Sequence, residues 1–118
     1  MLAVITVTAV APASRTGRSP NCTRRLLPLT ANAVGPAAAA ALRRERPADR
    51  PQVVSAALAT DDRRRGPEAK FECGARVWRR TVVVYITLRA FLPSASLSER
   101  VDFVGRFKGG YRVWQVVH

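Results

Sequence analysis

Residues 81–91 read TVVVYITLRAF and residues 99–118 read ERVDFVGRFKGGYRVWQVVH. The first stretch is dense in β-branched and aromatic side chains, the composition of a pleated, well-packed strand. On a period of two, Val82, Val84, Ile86, Leu88 and Ala90 share one face and Val83, Tyr85, Thr87, Arg89 and Phe91 the other. The uniformly apolar first set is expected to face a core, and Pro93, Ser94 and Ser96 end the strand. In the second stretch, Gly109-Gly110 between two alternating runs signals a two-residue hairpin, since a type I′ turn needs positive φ at both central positions. That turn predicts Phe107 opposite Arg112, Gly105 opposite Trp114 and Phe103 opposite Val116, with strands over 99–108 and 111–118. Phe103, Phe107, Trp114 and Val116 then share a face, and Gly105 leaves room for the Trp114 indole to lie across the strand.

Working outward, residues 71–80 are expected to add a strand; Gly74-Ala75-Arg76-Val77-Trp78 echoes Gly110-Tyr111-Arg112-Val113-Trp114, and both read as ordinary strand starts after a glycine rather than as a repeat. Residues 36–46, PAAAAALRRER, read as a helix. Pro36 suits a first turn, the alanines favour helix, Arg43, Arg44 and Arg46 complement the dipole, and Pro47 stops it. Its low apolar bulk predicts that it buries little. Residues 51–60, PQVVSAALAT, place Val53, Val54, Ala57 and Leu58 on one narrow helical face and predict a second helix that docks on the sheet. Residues 61–67 read as a charged, solvated connection whose Asp61-Asp62 pair lacks the further ligands a metal site needs. The expected fold is α+β: short N-terminal helices, 36–46 and 51–60, packed on a 3–4-stranded antiparallel sheet (71–80, 81–91, 99–108, 111–118) that ends in a Gly-Gly hairpin. The domain spans 34–118 and follows a basic segment, 1–33, that is flexible or removed.

The run WRRTVVVYITLRAF, the strand after it and the ending RFKGGYRVWQVVH resemble the C-terminal part of the nuclear-transport-factor-2-like/SnoaL-like superfamily over about residues 71–118. The resemblance implies a curved antiparallel sheet, and some members use a single carboxylate as a general base in a cavity. Asp102, on the face of Val104, Arg106 and Lys108, is the residue that such a role would fall to, with Glu72 and Glu99 as other carboxylates. Pairing of Asp102 with Arg106 is the plainer account.

The chain has 118 residues with 20 Lys or Arg and 8 Asp or Glu, a formal net charge of +12. That length excludes a large enzyme, a multidomain chain and a bundle of membrane spans. Residues 1–44 hold six arginines and no acid, residues 45–70 are nearly balanced, and residues 71–118 hold eight bases against three acids. All eight aromatic residues lie from Phe71 to Trp114. Only +5 of the charge therefore rides on the aromatic, sheet-forming part. Residues 1–13 are uncharged and too short to span a membrane, and Ala11-Pro12-Ala13 resembles a cleavage site. The acid-free, Arg-rich composition of residues 1–44 also suits an organelle transit peptide. The chain is thus expected to be exported or organelle-targeted if this segment is a signal, and cytoplasmic otherwise.

Phosphate-loop, dinucleotide, zinc-protease and serine-hydrolase motifs are absent, and the one histidine is the terminal His118. No catalytic residue, metal or cofactor is expected. Cys22 and Cys73 could close a loop of 50 residues, a stabilisation of about 4 kcal/mol on the loop-entropy view, in an oxidising compartment. Otherwise Cys73 is a small buried apolar residue. Asn21-Cys22-Thr23 fits a glycosylation acceptor in a eukaryotic secretory route. Three functions remain open. The first is a non-catalytic binding or assembly module that uses Val84, Ile86, Phe103, Phe107 and Trp114 to hold an apolar ligand, a protein partner or a second copy of the chain. The second is a basic nucleic-acid-associated protein using Arg76, Arg79, Arg80, Arg89, Arg106, Lys108 and Tyr111, because aromatics among arginines on an open sheet can stack bases and neutralise phosphate. The third is a SnoaL-like small-molecule enzyme.

Overall fold

The computed structural model describes residues 22–117. The uncharged opening, the Asn21 acceptor and His118 lie outside the described residues. Four strands form one antiparallel meander in the order β1-β2-β3-β4: β1 Pro51–Leu58, β2 Thr81–Leu88, β3 Glu99–Phe107 and β4 Gly110–Val117. The α+β class with a C-terminal hairpin is as the sequence predicts.

Helix α1, Val34–Arg44, begins two residues before its expected start. It packs on the β2 face formed by Val82, Val84, Ile86 and Leu88, with Val104 of β3 beside them. Contrary to the expectation that it buries little, Ala37 and Ala41 are wholly buried. A methyl side chain lets the helix backbone settle close to the sheet, so small residues seal this layer. Arg43 and Arg44 stand in the last turn, where the dipole favours cations. Pro47 then opens a short 3-10 turn, Pro47–Asp49, and Arg50 takes a left-handed φ of 50° to aim the chain into β1.

Residues 51–60 are thus not a helix, and the reason lies in a bulge. The β1–β2 register shifts between Val53 and Ser55, leaving Val54 64% exposed. The extra residue breaks the alternation, so the inward set is Val53, Ala56 and Leu58. Such irregular spacing hides a strand from a period-two reading.

Residues 71–80 are not a strand either. They hold the end of helix α2, Gly66–Cys73, then helix α3, Ala75–Trp78, and a turn at Arg79-Arg80, and the two helices cover the opposite face of the sheet. Ala69 packs there on Val83, Val101 and Phe103, with Trp78 and Trp114 alongside. The start of α2 is set by Asp62, whose Oδ1 accepts from the backbone N–H groups of Arg64, Arg65 and Gly66 at 2.9, 2.7 and 3.2 Å. The Tyr85 hydroxyl also donates to Asp62, at 3.2 Å. Partial burial works against ionisation of Asp62, but these donors outweigh it and hold the carboxyl below its ordinary range. The same contact, after burial, pushes the Tyr85 hydroxyl up to about 12. Residues 61–65 are thus the charged, largely exposed connection that the sequence predicts, with Asp62 also tying its end to the first N–H of α2, and Pro67 and Glu68 stand in the first turn of that helix. Gly74 separates the two helices with φ 93°. Nothing lies within 4 Å of a Cβ placed there, so Gly74→Ala is expected to cost about 1 kcal/mol through backbone strain alone. Urea unfolding of the variant checks this; an unchanged midpoint would contradict the left-handed assignment.

The hairpin turns one residue earlier than its glycines suggest. Phe107 pairs with Gly110, Arg106 with Tyr111, Gly105 with Arg112 and Val104 with Val113, so Lys108-Gly109 forms the tip. Only Gly110 has a left-handed φ, 126°. The shift from the expected register is two residues, which preserves faces. Phe103, Phe107 and Trp114 therefore do share the α2–α3 face, with the Phe103 and Trp114 rings 5.4 Å apart. A second bulge between Phe103 and Val104 then pairs Val116 with Asp102, which moves Val116 to the other face.

Residues 22–33 were expected to lie apart from the domain, yet from Cys22 onward they form a strap that is built into it. Leu27 bridges antiparallel to Arg106, donating its N–H to the Arg106 carbonyl at 2.7 Å. Because β2 begins at Thr81 opposite Gly105, the strap takes the β3 edge left free beyond it. Leu26 is 1% exposed and seats its side chain over Gly105, where a Cβ would collide with Leu26 Cδ2. The space at Gly105 thus belongs to Leu26 rather than to the Trp114 indole. Cys22 is joined to Cys73 at the end of α2, with Cα atoms 5.5 Å apart. No helix among the described residues is long and apolar enough to cross a membrane.

Candidate polyanion groove

Three elements converge at the hairpin end of the sheet. The strap brings Arg24 and Arg25, α3 and the residues after it bring Arg76 and Arg80, and the β3–β4 tip brings Lys108 and Arg112. Together with Leu26, Leu27, Phe107 and Gly109 they line a groove of about 520 Å³. Six cations and no acid form its walls.

The groove is organised by backbone oxygens and a ring. Arg80 Nη1 donates to the Leu26 carbonyl at 2.8 Å and Arg76 Nη2 to the same oxygen at 3.4 Å. One carbonyl thus gathers two guanidiniums, each of which keeps further N–H donors for a ligand. Arg112 lies over the Phe107 ring, 4.3 Å from its centroid, a cation–π contact that fixes its plane. The ion pairs among the described residues are Arg44–Glu45, Arg46–Asp49, Arg65–Glu68 and Arg100–Glu45, and none involves a groove cation. Six like charges so placed repel one another and are relieved by a multivalent anion.

Of the residues the sequence singled out for polyanions, Arg76, Arg80 and Lys108 line this groove. Arg79 is exposed next to Arg80 in the chain. Arg106 and Tyr111 hold the strap instead: Arg106 Nη1 donates to the Pro28 carbonyl at 3.0 Å, and the Tyr111 hydroxyl lies 2.8 Å from the Thr30 hydroxyl. Tyr111 packs on the α1 side. Arg89 follows the far end of β2, roughly 30 Å from Arg80 at about 3.3 Å per residue, and does not join the set. Arg24, Arg25 and Arg112 were missed. The Cys22–Cys73 spacing was the signal for the first two, since closing that loop carries Arg24 toward Arg76.

The expected apolar face is divided and covered. Val84 and Ile86 are buried beneath α1, whereas Phe103 and Phe107 are buried on the opposite face beneath α2, α3 and the strap. Trp114 is half-buried beside Phe103. These side chains are the two cores of the domain.

Asp102 is wholly buried on the α1 side, opposite Val84 and Val116, and neither carboxylate oxygen has a hydrogen-bond partner. Burial, then the neighbouring Glu45 charge, pushes its carboxyl up to about 6, against the pull of Arg44 and Arg100. Glu45 is itself tucked in, with Arg100 Nε 3.6 Å from one oxygen and Arg44 Nη1 3.9 Å from the other. A general base must reach its substrate, and Asp102 has no exposed surface. It does not pair with Arg106, whose guanidinium is on Pro28. Among the described residues no three His, Cys, Asp or Glu side chains cluster to hold a metal ion. No family model matches the chain, and no curated protein or solved structure matches it.

Proposed function

We propose that this chain is a non-catalytic binding module for the phosphate backbone of a nucleic acid, held in the groove between the strap, α3 and the hairpin tip. The observation that carries this reading is the convergence of Arg24, Arg25, Arg76, Arg80, Lys108 and Arg112 with no acid among the lining residues and, among the described residues, no ion pair to any of them. A phosphate chain satisfies several guanidinium forks at once, which a single carboxylate cannot. The apolar-ligand reading has less support, because both sheet faces lie under helices.

Fluorescence anisotropy with a generic single-stranded RNA across a salt series tests the proposal. Four or so phosphate contacts give a slope of log K against log salt of about −3, at about −0.7 per contact. A flat response, or no association at low salt, would overturn it.

A further inference from the structure

We propose that the Cys22–Cys73 pair is a thiol–disulfide exchange site for a small anionic thiol, and that its reduction frees the strap and with it the grip on phosphate. Both cysteines are half-buried rather than sealed in the core. With Thr23, Arg24, Arg76 and Val77 they line a surface depression of about 410 Å³ that adjoins the groove and shares Arg24 and Arg76 with it. A disulfide whose two cysteines line an open depression is open to an incoming thiolate, and the two arginines that share the lining attract one whose body carries carboxylates.

The chemistry is a two-step exchange. The incoming thiolate attacks Cys22 Sγ and forms a mixed disulfide. The Cys22–Cys73 bond breaks and Cys73 leaves as a thiolate in the depression that Arg76 also lines. A second thiolate attacks the small-molecule sulfur of the mixed disulfide and expels Cys22 as its thiolate. Two thiols thereby supply the two electrons and depart as a symmetrical disulfide.

What reduction does to the strap follows from its anchors. Toward its start the strap is tied by the disulfide. Beyond it are the Leu26 side chain, the Leu27–Arg106 bridge and the carbonyl contacts of Arg76, Arg80 and Arg106. Arg24 and Arg25 lie between the tie and these anchors. Cutting the tie therefore loosens the two residues that supply two of the six groove cations. This consequence for binding rests on the phosphate-binding reading given above, whereas the exchange site and the release of the strap do not.

The test uses the full oxidised chain. Reduced glutathione, an anionic thiol, is compared with cysteamine, a cationic one, and opening is followed by mass after alkylation. Per thiolate, glutathione is expected to react about tenfold faster, and Arg24→Gln with Arg76→Gln removes the preference. Equal rates in the native chain would overturn the exchange site. Hydrogen exchange at the Leu27 amide then reports the strap: protection falls on reduction and returns on reoxidation. Unchanged protection would overturn strap release. In RNA binding, reduction is expected to weaken affinity roughly tenfold and flatten the salt slope by about 1.4, two contacts at about 0.7 each. An Arg24→Gln, Arg25→Gln chain starts at the flatter slope and does not respond to reduction, and a continued response there would overturn the link. Should the oxidised chain bind no RNA, the phosphate-binding reading falls alone, and the thiol rates and Leu27 protection still decide the exchange site.

Discussion

Replacing Asp102 with Asn is expected to stabilise the chain by about 3 kcal/mol at pH 8 and to leave its stability little changed at pH 4. The native carboxyl is raised to about 6 in the folded chain by burial and by Glu45, against an ordinary value near 3.9 when unfolded. Its folded form therefore holds a proton more tightly than its unfolded form. Stability from this group is complete below about pH 4 and is lost as pH rises through about 6, because folding must then bury an unpaired negative charge. Asparagine is a neutral isostere of the protonated acid, so its stability curve lacks that descent. Thermal unfolding of both chains between pH 4 and pH 8 reads the difference. Parallel curves would show that Asp102 is solvated or paired in solution.

The second large effect concerns the joint between Leu26 and Gly105. Leu26→Ala is expected to cost about 3 kcal/mol, the range for a fully buried leucine whose site cannot collapse. Gly105→Ala attacks the same joint from the other side, since the new Cβ meets Leu26 Cδ2, and should cost a similar amount through overpacking, about 1–3 kcal/mol. The two changes are complementary: the methyl at position 105 occupies space that Leu26→Ala vacates. The double variant should therefore lose markedly less than the two single losses combined, with a coupling of about 1–2 kcal/mol. Urea unfolding of the oxidised chains measures all four corners of the cycle. Additive losses would mean that Leu26 does not sit over Gly105.

How far the sequence foretold this arrangement differs by element. The apolar face of β2 and the hairpin were legible because uninterrupted alternation and a glycine pair leave little choice of pairing. The exact register was not, since a tip at Lys108-Gly109 and one at Gly109-Gly110 place the same aromatic residues on the same face. Residues 51–58 concealed a strand because the bulge at Val54 breaks its period. Residues 66–78 concealed two helices because their start depends on an Asp62 side chain reaching three backbone N–H groups, and because the echo of Gly74–Trp78 in the hairpin carries no structural weight. The groove was half legible. Arg76, Arg80 and Lys108 stood out as basic residues near the sheet, but Arg24 and Arg25 looked like part of a charged tail. They enter the site only through Cys22–Cys73 and the burial of Leu26, contacts made across some 50 residues. Net charge by segment misled for the same reason, since the strap's arginines were counted away from the fold.

The ligand is expected to lie in the groove between the strap, α3 and the hairpin tip. Two-dimensional NMR of the oxidised chain with arginine Nε–Hε signals resolved, titrated with a short single-stranded RNA, tests it most directly. The signals of Arg76, Arg80 and Arg112 should move together and saturate, while those of Arg50 and Arg89 at the far end of the sheet stay in place. Shifts centred on Arg50 and Arg89, or spread evenly over all arginines, would contradict the groove as the binding site.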